Sequence, residues 1–311
     1  MRKTPWIAAV CVAFALLLGG CAAPGDPRLE VSASPWPRSD LWQKAADAEN
    51  YLAGVYAVAD TMLPACGTWC PAAEAMHKAH ATVLTQPDPF GGFMASSTHV
   101  LPEFGDEATL EKALKQAAQD CLTADEAGLA AAQPGPEALL WASLAAAASV
   151  SLAWADDPSV ARPAPVQGDV VPSRIDVSAA DAANAVLGGV DGLIYAMTVA
   201  SAQPTTGKDM LVQLTAQLAD AQSQRSALQA QIRAAGGIPS APALAYPLSN
   251  GVGDDAAIAA SLNTFELALA IPYIRLAGTQ TGDTAVATLT RADLAGATAA
   301  GQTITWWPGW G

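Results

Sequence analysis

Apolar positions along this chain recur at steps of three and four, not two. The clearest run is Leu211, Leu214, Leu218, Ala221, Arg225, Leu228 and Ile232, a spacing that gathers side chains on one face of a helix. Sustained alternation of β-branched residues is absent, and Gly and Pro fall at intervals typical of helix ends. The pattern predicts an all-α chain with helices over residues 40–63, 71–84, 107–132, 137–154, 177–201, 208–235, 254–276 and 283–306. Pro64 stops the first, Pro71 sits in the first turn of the second, and Gly236–Gly237 ends the sixth. The stretch 156–176 is dense in Pro, without periodicity, and reads as a linker between an N-terminal half, 40–155, and a C-terminal half, 177–311. Each half holds four helices, as antiparallel bundles with short or medium connections do.

The N-terminus carries a different pattern. Arg2 and Lys3 precede an uninterrupted apolar run from Ile7 to Leu18. That length suits a signal peptide better than a membrane span. The run ends in LLGGC, residues 17–21, which resembles the lipobox of bacterial lipoproteins. The resemblance implies cleavage after residue 20, lipidation of Cys21 and anchorage on the extracytoplasmic face of the cell membrane. Residues 21–39, rich in Pro, Ser and Ala, then form a tether.

Charge narrows the partners. The formal net charge is −14, and loss of Arg2 and Lys3 with the leader takes it to −16. Nucleic acid needs a basic footprint, and anionic lipid needs a basic face; neither exists here. With 51% hydrophobic and 14% charged residues, the chain can bury a real core. Cys11 leaves with the leader, so Cys66, Cys70 and Cys121 remain in an oxidising compartment. Cys66 and Cys70 frame a CGTWC turn and can close on each other, leaving Cys121 as a buried apolar residue. The alternative pairs Cys121 with one of them. Three intervening residues and no βαβ context argue against a thioredoxin-like redox site.

Residues 180–307 resemble an uncharacterised ferritin-like domain family of actinobacterial envelope proteins. The likeness is carried by LIYAMTVASA, LADAQSQRSALQAQIRAAGG, the connection IPSAPALAYPL, a helix bearing Glu266 and an end at Trp306. MHKAHATVL and EALLWASLAAAASVSLAWA echo it more weakly in the first half. The resemblance implies a ferritin-like fold and an envelope location, and no reaction. Where family members carry Glu and His on the first helix of this domain, this chain has Val190 and Asp191. Gln222 stands where the next helix has His.

Ferritin-like di-metal sites need a Glu from each of two helices and a Glu-x-x-His pair from each of two others. After Glu137 the only Glu is Glu266, and no His follows His99. A di-iron centre is therefore not expected, and no cofactor is. The first half does hold one Glu-x-x-His, Glu74 and His77, with His80 a turn further on. Joined by Glu49 or Asp47, these residues would make a mononuclear metal site. The plainer reading is a solvated face beside Lys78. In the second half Asp191, Arg225 and Glu266 interrupt apolar stripes and are expected to meet in a polar core, either a structural ion cluster or a small-ligand site. The tail TWWPGWG reads as a cap over the bundle end or as an aromatic contact with membrane, glycan or protein. No Ser-His-Asp set, GxSxG or phosphate loop is present. The expected function is a non-catalytic, membrane-anchored envelope lipoprotein, a helical binding or scaffold module for an envelope protein or small ligand. The alternative is a metal-binding or redox ferritin-like protein using Glu74, His77 and His80.

Overall fold

The computed structural model describes residues 40–86, 100–168, 178–248 and 250–310. The leader, Cys21 and the tether lie outside the described residues, as do 87–99 and 169–177. Among the described residues the fold is all-α, with no strand and a single isolated parallel bridge, Val166 to Thr305. The helices are α1 (Asp40–Met62), α2 (Trp69–Leu84), α3 (Glu107–Ala131), α4 (Pro136–Asp156), α5 (Ala179–Ser201), α6 (Lys208–Ala234), α7 (Asp255–Ala268), α8 (Ala270–Ala277), α9 (Gly282–Leu289) and α10 (Leu294–Ala299), with a 3-10 turn, Pro64–Cys66, between α1 and α2.

Local chemistry sets the ends. The carboxylates of Asp106, Asp254 and Asp293 accept from the backbone N–H three residues on, at 2.7, 2.8 and 2.7 Å, and so cap α3, α7 and α10. Gly236 takes φ +76°, where its missing Cβ matters, and Gly237 N donates to Ile232 O at 2.9 Å to close α6.

α1 to α4 form the first bundle. Trp42, early in α1, meets Trp141, early in α4, at 5.1 Å, and Tyr56 further along donates to the Ser151 carbonyl. These two helices therefore run in the same direction. α2 folds back along α1, and α3 folds back along α4, so α2 and α3 run together in the opposite sense. The connection between α2 and α3, residues 85–106, thus joins opposite ends of the bundle. α1 packs closely on α2 and α3, and α3 on α4. On the fourth side α2 and α4 stand further apart, meeting at Trp69–Trp154 and His77–Ser151.

The second half departs from the expected four helices. α5 and α6 pair as a hairpin, and α7 lies along α5. The helix expected over 254–276 breaks at Leu269, because Pro272 has no N–H to offer the carbonyl of residue 268. The helix expected over 283–306 is instead α9, α10 and an extended run, divided by the Asp293 cap and by Gly301 at φ +88°. α8 and α10 pack on α4, and α9 on α3. Ala270, Ile274, Leu289, Leu294, Trp307 and Trp310 belong to the first bundle's core, which therefore crosses the expected boundary, while α5, α6 and α7 enclose a second core with Val186, Leu214 and Ile258. Residues 157–168 lie against the body and do not form a free linker; Val166 N donates to Ile304 O, and Trp306 N to Val166 O, both at 2.9 Å.

Three stretches, 136–156, 179–201 and 255–277, are long and apolar enough to cross a membrane by length and composition. In α4, 78% of that apolar window is buried within the protein itself.

Gly128 on α3 lies where a Cβ would drive into the Trp141 ring. We expect Gly128→Ala to destabilise by about 1–3 kcal/mol through overpacking, despite alanine's better helix propensity, as a shift in urea midpoint at unchanged slope.

Candidate functional site

The first bundle encloses a cluster of ionisable side chains with no solvent contact. α1 supplies Glu49, α2 His77 and His80, and α3 Asp125; all four are 0% exposed, as is Cys121 of α3. The Glu49 carboxylate bridges both imidazoles, with Oε2 at 2.5 Å from His77 Nδ1 and Oε1 at 3.0 Å from His80 Nδ1. His77 Nε2 lies 2.8 Å from Ser151 Oγ on α4. His80 Nε2 donates to the Trp306 carbonyl at 2.7 Å.

The partners fix the protons. A carbonyl only accepts, so His80 carries Nε2–H, while its Nδ1 faces a carboxylate. His77 instead has a carboxylate on one side and a hydroxyl on the other, which a neutral ring satisfies by donating from Nδ1 and accepting the Ser151 O–H. Burial pushes the His77 pKa down more than Glu49 lifts it. Burial also opposes ionisation of Glu49, but its electrostatic interactions and hydrogen bonds with His80 and His77 outweigh it and hold the carboxyl at about 2.

On the α3 side, Cys121 Sγ donates to Asp125 Oδ2 at 3.6 Å. Burial, then the Glu49 charge, lift both the Cys121 thiol and the Asp125 carboxyl well above their ordinary values. The other oxygen of Asp125, Oδ1, is buried without a hydrogen-bond partner. One donor atom each from Glu49, His77 and Cys121 lie within 4.8 Å of one another.

This set corrects the sequence expectation. His77 and His80 enter the cluster, but Glu74 does not: it pairs with Lys78 on the outer surface. Three residues advance a helix about 300°, so each step of three turns back about 60°, and Glu74 ends about 120° round from His80. Of the two acids considered on the first helix, Glu49 faces inward, while Asp47 is partly exposed and accepts from Gln43. Ser151, Cys121 and Asp125 were not read as parts of a site. The readable signal was the i, i+4 pairing of Cys121 with Asp125 on the stripe of Leu114, Ala118 and Leu129.

The Cys66–Cys70 disulfide closes, with Cα atoms 5.1 Å apart, and Cys121 is free and buried. In the second half Asp191, 5% exposed, pairs with Arg225 at 2.8 Å. The Nε–H is not aligned for a hydrogen bond, so the contact is an ion pair only. Glu266 does not join them. It is exposed, and its pKa is raised by burial of part of the side chain and then by Asp293. α6 and α7 both pack on α5, so their inward stripes face α5 and not each other. Between α6 and α7–α8 lies an open cleft of about 730 Å³, with Leu228, Leu269, Tyr273 and Leu276 in its lining. Gln224 donates to the Tyr273 hydroxyl across it.

The Trp-rich tail is a cap. Trp307 and Trp310 are each 4% exposed, and the Trp307 ring stands 4.6 Å from that of His80. No family model matches this chain, and neither a curated protein nor a solved structure matches it.

The shift at Glu49 has a definite sign. Its stabilisation is present above the ordinary value of 4.5 and is lost as pH falls towards about 2. Over that window we expect Glu49 to account for roughly 3 kcal/mol. Glu49→Gln should destabilise at pH 7 by about 3–5 kcal/mol and flatten this acid limb in urea titrations run at successive pH values.

Proposed function

We propose that this chain is a lipid-anchored envelope protein whose first bundle binds one metal ion, with Zn²⁺ the best-matched class. One observation carries the reading. A carboxylate, an imidazole and a thiol from three helices converge within 4.8 Å in a fully buried interior, beside an aspartate oxygen that has no partner. Buried polar atoms are normally satisfied, and an orphaned carboxylate oxygen in a polar cluster is what a missing cation would explain. Oxygen, nitrogen and sulfur donors together are a zinc-type set. Tetrahedral zinc places its ligand atoms roughly 3.3–3.8 Å apart, so the side chains need to close in only slightly. Glu49, His77 and Cys121 would be the ligands, with Asp125 as the fourth. His80 would orient Glu49 through its hydrogen bond, as outer-shell partners do. With no solvent contact at the cluster, a structural or storage role is favoured over catalysis.

A ferritin-like architecture is supported by the helix directions: α1 and α4 one way, α2 and α3 the other, a long connection between α2 and α3, and inward polar side chains from all four. That pattern belongs to residues 40–156, whereas the family resemblance was strongest over 180–307. The anchor rests on LLGGC. A single ion, not a di-iron centre, accords with the lack of a second Glu-x-x-His.

Two measurements test the proposal. The purified protein should take up one equivalent of Zn²⁺, and Co²⁺ in its place should show thiolate charge-transfer absorption that Cys121→Ser abolishes. Cys121→Ser should weaken zinc binding by roughly 100-fold or more and His80→Asn by about 10–100-fold, with Glu74→Gln unchanged. Sub-stoichiometric zinc, or a Glu74 effect equal to that of Cys121, would overturn the assignment. Separately, Cys21→Ser should move the protein out of the membrane fraction; continued lipidation and retention would remove the anchor.

A further inference from the structure

The cluster is sealed on three sides by helices and on the fourth by something less permanent. α1 closes on α2 and α3, and α3 on α4. Beside His80 of α2 the cluster is covered by residues 302–310, which approach from the other end of the sequence. Ile304, Trp307 and Trp310 are buried there in the first bundle's core. Trp306 presents its carbonyl to His80, and Trp307 lies against the His80 ring.

This strap is held by few bonds. It belongs to no helix. One isolated bridge ties it to residue 166, and Arg275 Nε donates to the Gly309 carbonyl at 2.9 Å. Gly301 and Gly309, both at positive φ (+88° and +84°), stand at its two ends. The indole N–H groups of Trp306 and Trp310 are buried without acceptors, so its aromatic packing comes with unsatisfied polar atoms. Ile304, Trp307 and Trp310 anchor it by apolar burial, but a segment outside the helices with few backbone bonds to the body still separates at less cost than two packed helices. Opening the helix contacts would instead require separating α1 from α2 or α3, along faces that carry Leu52, Tyr56, Leu114 and Leu129 in the core.

We propose that residues 302–310 are a removable cover, and that metal reaches and leaves the Glu49 centre past His80, where they lie over it. This regulation rests on the metal reading above, but the opening itself does not. The cover restrains the centre directly. While closed, it fixes His80 through the Trp306 carbonyl and so fixes the Glu49 carboxylate that His80 holds. Once the strap lifts, His80 loses that bond and the cluster meets solvent.

The structure offers a lock. A Cβ at Gly168, whose backbone conformation tolerates a side chain, would lie 3.5 Å from Thr305 Cβ, within the range for a disulfide. The test uses the full chain with Gly168→Cys and Thr305→Cys, oxidised, and the single variant Thr305→Cys as control. With the lock closed and Cys66–Cys70 intact, Cys121 is the free thiol among the described residues. Its labelling by a small thiol reagent in zinc-free protein, read at Cys121 by peptide mapping so that thiols at 168 and 305 are not counted, reports access whether or not metal binds. We expect the lock to slow Cys121 labelling about tenfold or more, with mild reduction restoring the rate, and Arg275→Met, which frees Gly309, to speed it by a similar factor. Zinc transfer to an external chelator should follow the same order. Labelling rates unchanged by both the lock and Arg275→Met would overturn the cover. Labelling that responds as expected in a protein that takes up no zinc would keep the cover and overturn the metal reading alone.

Discussion

A carboxylate removed from water must be met by donors or lose its charge, and Glu49 is met by two imidazoles on the same neighbouring helix. That requirement organises the rest of the first bundle. His77 and His80 can both reach one carboxylate only if α2 packs directly along α1 with that face inward. Each ring then needs a partner for its second nitrogen. His77 finds Ser151, which fixes the register of α4; His80 finds the Trp306 carbonyl, which brings the tail across. The four-helix arrangement and its cover are therefore joined through one polar group, although apolar burial supplies most of the cohesion.

The second half serves the first as a partial sheath. α4 is apolar around its whole circumference, and such a helix must be surrounded. α3 covers one side, and α8 and α10 cover others. This explains why the later helices shorten and turn instead of forming a bundle of their own. α9 and α10 pack onto α3 and α4, which leaves the cleft between α6 and α7–α8 open. It also accounts for the membrane-like hydropathy of α4 without a bilayer, since the surrounding protein buries most of it.

Much of this was legible in the sequence. Six of the eight expected helices begin and end within a few residues of their expected positions, and the seventh differs by its break at Leu269, because Pro, Gly and capping Asp act locally. The CGTWC disulfide was readable for the same reason: both cysteines sit in one turn. What depended on distance was not readable. The pairing of Glu49 with His77 spans 28 residues, and that of His80 with Trp306 spans 226; no periodicity encodes either. Glu74 was chosen by its spacing from His77 alone, without following the drift around the helix to His80. Arg225 and Glu266 were joined on the assumption that consecutive helices pack on each other. Here both lie against α5, so Arg225 reaches Asp191 and Glu266 faces the cleft. The last helix failed because Asp293 is a strong cap in the middle of an apparently continuous pattern.

The position of the strap in the sequence sets an order on assembly. Synthesis runs from the first residue, and domains begin to form in that direction. α1 to α4 are complete long before residues 302–310 exist. A chain that folds as it is made therefore passes through a stage in which the Glu49, His77 and Cys121 side chains are already gathered while one wall is missing. That stage leaves the polar cluster open to solvent until residues 302–310 settle over His80.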